Sequence, residues 1–279
     1  MIWNDFSAAE GIAIERADGE RLRSLSASSI SRLLTCPEQF RQSYILGRWP
    51  PANGNTVLGN AYHSARQTNY EQKIYSGHDL PWKEVGDAYH AGWKKAASEE
   101  VVWRDADQNE LYWLGFEMSR LYHVHVSPNV QPVAVEEWFE LEVPGVPVPV
   151  RGKIDVRDAG AMIDTKTDAK GAKQPQPGWR PQAYIYCAAR PGYDFEWHVH
   201  SKGGKLLIWT PQSPGAAGLH FANTRARRTA AETMVRHAWQ LLVHLYTSYG
   251  IDDVWPGNGL VHGFACKFCF YKSKCAYWV

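Results

Sequence analysis

Gly152-Lys-Ile-Asp155 is followed, nine residues after its aspartate, by Asp164-Thr-Lys166, and this is the stretch whose residue types and spacing best suit a reaction. On a strand, positions two apart share a face, so Asp164 and Lys166 project together while Ile163 and Thr165 face away. The turn residues Asp158-Ala-Gly160 bring the preceding segment back alongside, with Asp155 near the end of the neighbouring strand. Two carboxylates and an ammonium suit phosphodiester hydrolysis. Hard carboxylate oxygens hold Mg²⁺ or Mn²⁺, the ion polarises phosphate and activates water, and the lysine positions that water or stabilises developing charge. Spacing alone leaves a second reading open, in which the three are ordinary charges on a solvated strand.

Other side chains could join them. Glu137 falls in the odd-numbered register of Val133, Val135, Phe139 and Leu141, whereas Glu136, Glu140 and Glu142 occupy the other face. A carboxylate on an apolar face needs a compensating cation or hydrogen bonds, which makes Glu137 a candidate catalytic residue, at the metal or beside it. A bulge would invert that register. His63, in Gly59-Asn-Ala-Tyr-His63, is a structural histidine or a further ligand, and as a ligand it favours Mn²⁺ over Mg²⁺. Gln182 and Tyr186, four apart on a helix, present an amide and a phenol to phosphate or base, although Tyr186 could equally be core.

A separate constellation is made of cysteines. Cys266-Lys-Phe-Cys269 is a chelating pair and Cys275 adds a third thiolate. Cys36 is the natural fourth, because Cys187 lies in Tyr-Ile-Tyr-Cys-Ala-Ala and reads as a small buried apolar residue. Four thiolates hold Zn²⁺ or an iron–sulfur cluster, and spacing does not choose between them. An odd count of five, with three crowded near the C-terminus, is unlike a secreted disulfide framework.

The elements that must position these groups follow from periodicity. A serine capping the segment from Ser26, with Ile30, Leu33 and Leu34 on one face, predicts a helix that ends at Cys36 before Pro37. Pro37 opens a second helix with Phe40 and Tyr44 on one face and Gly47 as its stop. From Thr56 to about Val126 the apolar spacing is helical. The period then becomes two, predicting a three-strand meander through Thr167. A Gly-, Pro- and Lys-rich loop at 168–181 and a helix at 182–190 follow, with strands at 195–200, 205–210 and 219–222. Thr224 then caps a long helix to Tyr249 with Met234, Ala238, Leu241, Leu242 and Leu245 as its apolar stripe.

Thirty Lys and Arg against 29 Asp and Glu leave a net charge of +1, so nucleic acid would be held by a local patch and not by bulk charge. Thirteen Trp and 14 Tyr are many, and aromatic faces on a groove could stack on unpaired bases, although aromatics more often fill a core. No basic segment leads into an apolar run near the start, and nowhere do about 18 apolar residues follow one another. The expectation is a cytoplasmic protein with no membrane partner.

Together these stretches resemble the RecB-type nucleases of the PD-(D/E)XK superfamily, above all the branch with an iron–sulfur cluster: the AddB nuclease domain, the CRISPR-adaptation exonucleases and their phage relatives. Ser26 to Gly47 resembles the opening helix pair with its Cys-Pro step, and Gly59 to His63 the Gly-x₃-His motif. Gly152 to Thr167 resembles Gly-x-x-Asp with Asp-x-Lys-Thr, and Gln182 to Tyr186 the Gln-x₃-Tyr motif. The final C-x₂-C-x₅-C completes the series. The resemblance implies a restriction-endonuclease-like α/β core with a mixed sheet. After a leader at 1–23, a single nuclease domain would span 24–279, with a helical insertion at about 64–127 and a cluster segment at 262–279.

It also implies that His63, Asp155 and Asp164 ligate Mg²⁺ or Mn²⁺, that Lys166 is the catalytic lysine, and that Gln182 and Tyr186 help bind DNA. Cys36, Cys266, Cys269 and Cys275 would hold a structural [4Fe–4S] cluster. Asp164 stands where many relatives have Glu, which the pattern allows. The implied activity is metal-dependent exonucleolytic cleavage of DNA, on single-stranded ends, in recombination, repair or CRISPR-adaptation-like processing. The chain has no Gly-x₄-Gly-Lys-Ser/Thr phosphate loop, so a helicase or recombination protein would be a partner. Arg225, Arg227 and Arg228 at the start of the long helix could touch phosphates or simply solvate a helix end. Two rival readings are a catalytically idle DNA-binding or assembly subunit and a zinc-ribbon adaptor.

Overall fold

In the computed structural model of the chain, the described residues are 11–103, 107–168, 177–202, 206–209, 222–258, 266–267 and 269–277. They form two compact units: Met1–Pro50, Glu140–Gly152 and Arg225–Val279 make one, and Pro51–Phe139 with Lys153–Thr224 make the other.

In the first unit, helix α1 (Ala27–Thr35) starts at a reciprocal cap. Ser26 Oγ accepts from Ser29 N, and Ser29 Oγ accepts from Ser26 N. Pro37 excludes helical backbone at the residue before it, and Cys36 is extended (φ −156°, ψ 103°). Helix α2 (Pro37–Phe40) continues into a π-helical turn at Arg41–Ile45, and the chain leaves through Gly47 at φ +66°. Phe40 is buried and stacks on Tyr44 (4.9 Å) and Trp255 (6.3 Å). Glu38 is buried yet fully partnered. Arg41 donates to both of its oxygens (2.9 and 3.0 Å), Gln42 Nε2 to Oε1 (2.6 Å), and the Trp255 amide to Oε2 (2.8 Å). A buried carboxylate persists only with such compensation. Leu34, expected on the buried face, is exposed, and the buried residues of α1 are Ser29, Ile30 and Leu33.

The second unit opens with strand β1 (Ala52–Asn53) and helix α3 (Gly54–Ser76). Asn53 caps the helix by accepting from the amides of Asn55 and Thr56, and Gly77 at φ +73° ends it. Helix α4 (Trp82–Ala97), strand β2 (Val101–Val102), parallel to β1, and helix α5 (Gln108–His125) follow. The apolar stripes of α3 to α5 meet in an aromatic core of Tyr62, Tyr70, Tyr89, Trp93 and Tyr122, joined by Val156 and Ile163. Gly115 permits that approach, since a Cβ there would lie 2.3 Å from Tyr89 Oη.

Five strands form one sheet in the order of the chain: β3 (Pro132–Leu141), β4 (Val150–Asp158), β5 (Ala161–Asp168), β6 (Asp194–Ser201) and β7 (Leu206–Trp209). β4 and β5 are antiparallel, β5 and β6 parallel, β6 and β7 antiparallel, so the sheet is mixed as expected. Helix α6 (Arg180–Ala189) supplies the crossover from β5 to β6, starting two residues earlier than the sequence suggested.

Helix α7 (Arg225–Tyr249) belongs to the first unit. Its buried stripe is Ala231, Val235, Ala238, Trp239, Leu242, Val243 and Leu245, while Met234 and Leu241 are only half-buried at its edges. Residues 169–176 of the expected loop and 219–221 of the expected strand lie outside the described residues, and Ala222 is coil. No described helix is long and apolar enough to cross a membrane.

Candidate active site

The hairpin between β4 and β5 pairs Val156 with Ile163 and Arg157 with Met162. One further step along that register sets Asp155 opposite Asp164, and opposite residues of an antiparallel pair point to one face. Asp164 is 4% exposed. Lys166 Nζ lies 2.9 Å from its Oδ2 and donates to its Oδ1 (3.1 Å) and to Gln182 Oε1 (3.0 Å). Gln182 Nε2 also donates to Asp164 Oδ1 (2.8 Å), so α6 closes a triangle of Asp164, Lys166 and Gln182. Asp164 Oδ2 is buried and accepts no well-aligned hydrogen bond among the described residues.

Electrostatics separate the two acids. Burial, reinforced by the Asp155 charge, pushes Asp164 above the usual carboxylate range against the pull of Lys166. Burial would also raise Asp155, but its hydrogen bond with His63 and the charges of Arg66, His63 and Lys166 hold it at about 2. A divalent cation beside them would favour the ionised form of both.

His63 comes from α3. Its Nε2 is 2.8 Å from Glu136 Oε1 and its Nδ1 is 3.5 Å from Asp155 Oδ2. Among the described residues, His63, Glu136 and Asp155 form the one group of three His, Cys, Asp or Glu side chains whose ligand atoms all lie within 4.8 Å of one another. One imidazole nitrogen and two carboxylates are a donor set for Mg²⁺ or Mn²⁺. Asp164, expected as the third ligand, lies beside this group and not within it.

Two contributors are not among the residues the sequence singles out. Periodicity puts Glu136 on the opposite face from the site. It has φ +55°, the left-handed region, and this interrupts the two-residue alternation of β3. Val133, expected to face inward, is accordingly 48% exposed. Glu137, the expected candidate, is outside the group. Its oxygens are taken by Arg157 (2.6 Å) and Arg190 (3.0 Å), which hold its carboxyl below the ordinary value despite burial. The second missed residue is Arg66, one turn after His63. It is buried, with Nη2 3.3 Å from His63 Nδ1 and 3.4 Å from Asp155 Oδ2. Its i, i+3 spacing from His63 was a visible signal.

Tyr186 is buried, donates to Lys153 O (2.9 Å) and packs edge-on against Phe139 (4.8 Å), which leaves it little surface for a nucleic acid. Arg225 is exposed and Arg228 half-buried at the start of α7.

In the first unit, Cys36, Cys266, Cys269 and Cys275 line one pocket together with Glu38, Gln39, Asn258, Tyr271 and Lys272. All four are free thiols, and Gln39 Nε2 lies 3.3 Å from Cys269 Sγ. No three of these sulfurs lie within 4.8 Å of one another. Cys187 is buried on α6, in the other unit, as its apolar context suggested.

Residues 24–276 match the family described as the PD-(D/E)XK nuclease superfamily. Among solved structures, the crystal structure of a putative exonuclease from Eubacterium rectale matches at a TM-score of 0.56 and 12% identity, over 96% of this chain and 89% of that one. At that identity the likeness concerns the fold. The crystal structure of SSO0001 matches 80% of this chain and 85% of that one at 14% identity, with a TM-score of 0.35. No curated protein matches by sequence.

Proposed function

Since the chain belongs to the PD-(D/E)XK nuclease superfamily, we propose that it is a metal-dependent deoxyribonuclease acting exonucleolytically on single-stranded DNA ends. The observation that carries the reading is the convergence of Asp155, Asp164 and Lys166 from two adjacent strands, with His63 brought in by a helix. His63, Glu136 and Asp155 would hold Mg²⁺ or Mn²⁺, with Asp164 alongside, and the ion would supply a polarised phosphate and an activated water. Lys166 is the group placed to orient that water or neutralise charge developing on the phosphate. Gln182 fixes Lys166 and Asp164 relative to each other, and Arg66 fixes His63 and Asp155; both act through these partners.

The exonuclease assignment follows the order of the motifs and the name carried by the Eubacterium rectale protein. Arg225 and Arg228 are candidate phosphate contacts, and a helicase or recombination protein would supply any motor. Digestion of single- and double-stranded DNA, labelled at one end and anaerobic, with Mg²⁺ or Mn²⁺, tests the reading. Stepwise loss of terminal nucleotides from single strands is expected. Intact DNA with either ion would leave a catalytically idle subunit instead.

We also propose that Cys36, Cys266, Cys269 and Cys275 hold a [4Fe–4S] cluster, a reading that rests on the resemblance of their spacing to cluster-bearing nucleases. Its role would be structural, linking α1 and α2 to the C-terminal segment of the same unit.

A further inference from the structure

Trp138 is the most exposed tryptophan among the described residues, at 69%, and it stands two residues from Glu136 on β3. Its backbone and its neighbour are held by contacts. Arg190 Nη2 donates to its carbonyl (3.2 Å), and the next residue, Phe139, is buried against Tyr186. The indole is therefore displayed from a fixed backbone, with only its own two torsions left to settle on binding.

Lys153, on β4, connects this ring to the candidate site. Its Nζ lies 5.7 Å from the Trp138 ring centroid and also contacts Glu136, whose other oxygen is 2.8 Å from His63 Nε2. A π-face and an ammonium thus lie within one side chain of the group that would hold the catalytic ion. Trp113, 62% exposed on α5, lacks this setting, since its ring neighbours are Tyr112 and Phe116, and Trp49, 53% exposed, has Arg32 5.6 Å from its ring but belongs to the unit that does not contain the His63–Glu136–Asp155 group.

We infer that Trp138 and Lys153 form a subsite for one unpaired nucleotide, the indole stacking on its base and the ammonium taking its phosphate. This deepens the nuclease reading and rests on it. Every base has a π-face, so the contact is tolerant of sequence, whereas a paired base is stacked within its duplex and cannot offer that face. The subsite would accordingly select unpaired DNA ends without reading their sequence.

The test measures binding of a labelled oligothymidylate and of a blunt-ended duplex to the full chain, with Ca²⁺ present to suppress turnover. Thermal melting of each variant checks folding. Trp138→Ala should weaken single-strand binding roughly 5- to 150-fold while duplex binding moves less than twofold, and Trp138→Tyr should restore most of the loss. Trp113→Ala should match the wild type. Lys153→Ala should lower the slope of log affinity against log salt by about 0.7 on the single strand, the share of one phosphate. Single-strand binding unchanged in Trp138→Ala, or lost equally for the duplex, overturns the subsite while leaving the nuclease reading in place. A wild-type chain that neither binds nor cuts DNA overturns both.

Discussion

Asp155 and Asp164 face each other across the β4–β5 hairpin, one step beyond the Val156–Ile163 pair, yet burial and neighbours drive them in opposite directions. Asp155 stays ionised to about pH 2 beside His63 and Arg66, while Asp164 is raised within its triangle with Lys166 and Gln182. Adjacent acids held apart in this way are characteristic of sites that do proton or metal chemistry.

Removing either half of the Asp164–Lys166 pair should therefore stop cleavage. Asp164→Asn and Lys166→Ala are each expected to lower single-turnover rates on end-labelled DNA by at least about 10²-fold, with little change in melting temperature. Near wild-type turnover in either variant would refute the site.

Glu136 and Glu137 differ by one residue and should differ in kind. Glu136→Gln is expected to raise the Mn²⁺ concentration for half-maximal activity by about 10-fold or more. Glu137→Gln should leave that concentration within twofold but lower the melting temperature by a few degrees, because Arg157 and Arg190 lose their partner. The opposite pattern would restore Glu137 to the metal site.

Acid should destabilise the second unit through its buried histidines. His200 accepts or donates a hydrogen bond with Tyr62 (3.2 Å), has no partner at Nε2 among the described residues, and burial lowers its pKa to about 4. The unfolded chain, with a histidine near 6.5, binds more protons between pH 6.5 and 4, so stability falls as pH drops through that window. The contribution is about 2 kcal/mol between pH 7.5 and 5. His198, also lowered by burial, acts in the same direction. Melting curves of wild type and His200→Gln across this range give the difference in slope, and parallel curves would remove His200 from the account.

Iron content distinguishes the cysteines. Alanine at Cys36, Cys266, Cys269 or Cys275 is expected to lose iron and to lower the melting temperature, whereas Cys187→Ala keeps iron. A cross-link between positions 36 and 266 restricts a long stretch of unfolded chain, by analogy with disulfides worth on the order of 5 kcal/mol. Full iron in Cys36→Ala, or stoichiometric zinc in the wild type, would displace the cluster assignment.

What could be read from the sequence was local in origin. Asp164 and Lys166 share a face because a strand has a period of two, and the Asp158–Gly160 turn returned the chain past Asp155. Ser26, Pro37 and Gly47 marked helix ends because capping, proline sterics and left-handed backbone are properties of single residues and their neighbours.

Tertiary structure decided the rest. The exchange of Glu136 for Glu137 depends on one left-handed φ within β3, and a periodic pattern carries no trace of it. Arg66 shows its spacing from His63 in sequence, but the packing of α3 toward β4 decides that both reach Asp155. Gln182 spans from α6 to Asp164 and Lys166, and Cys36 joins thiols more than 200 residues away, because long-range burial closes the chain on itself. Local periodicity specifies which residues face the same way. Only the packed core determines which faces meet.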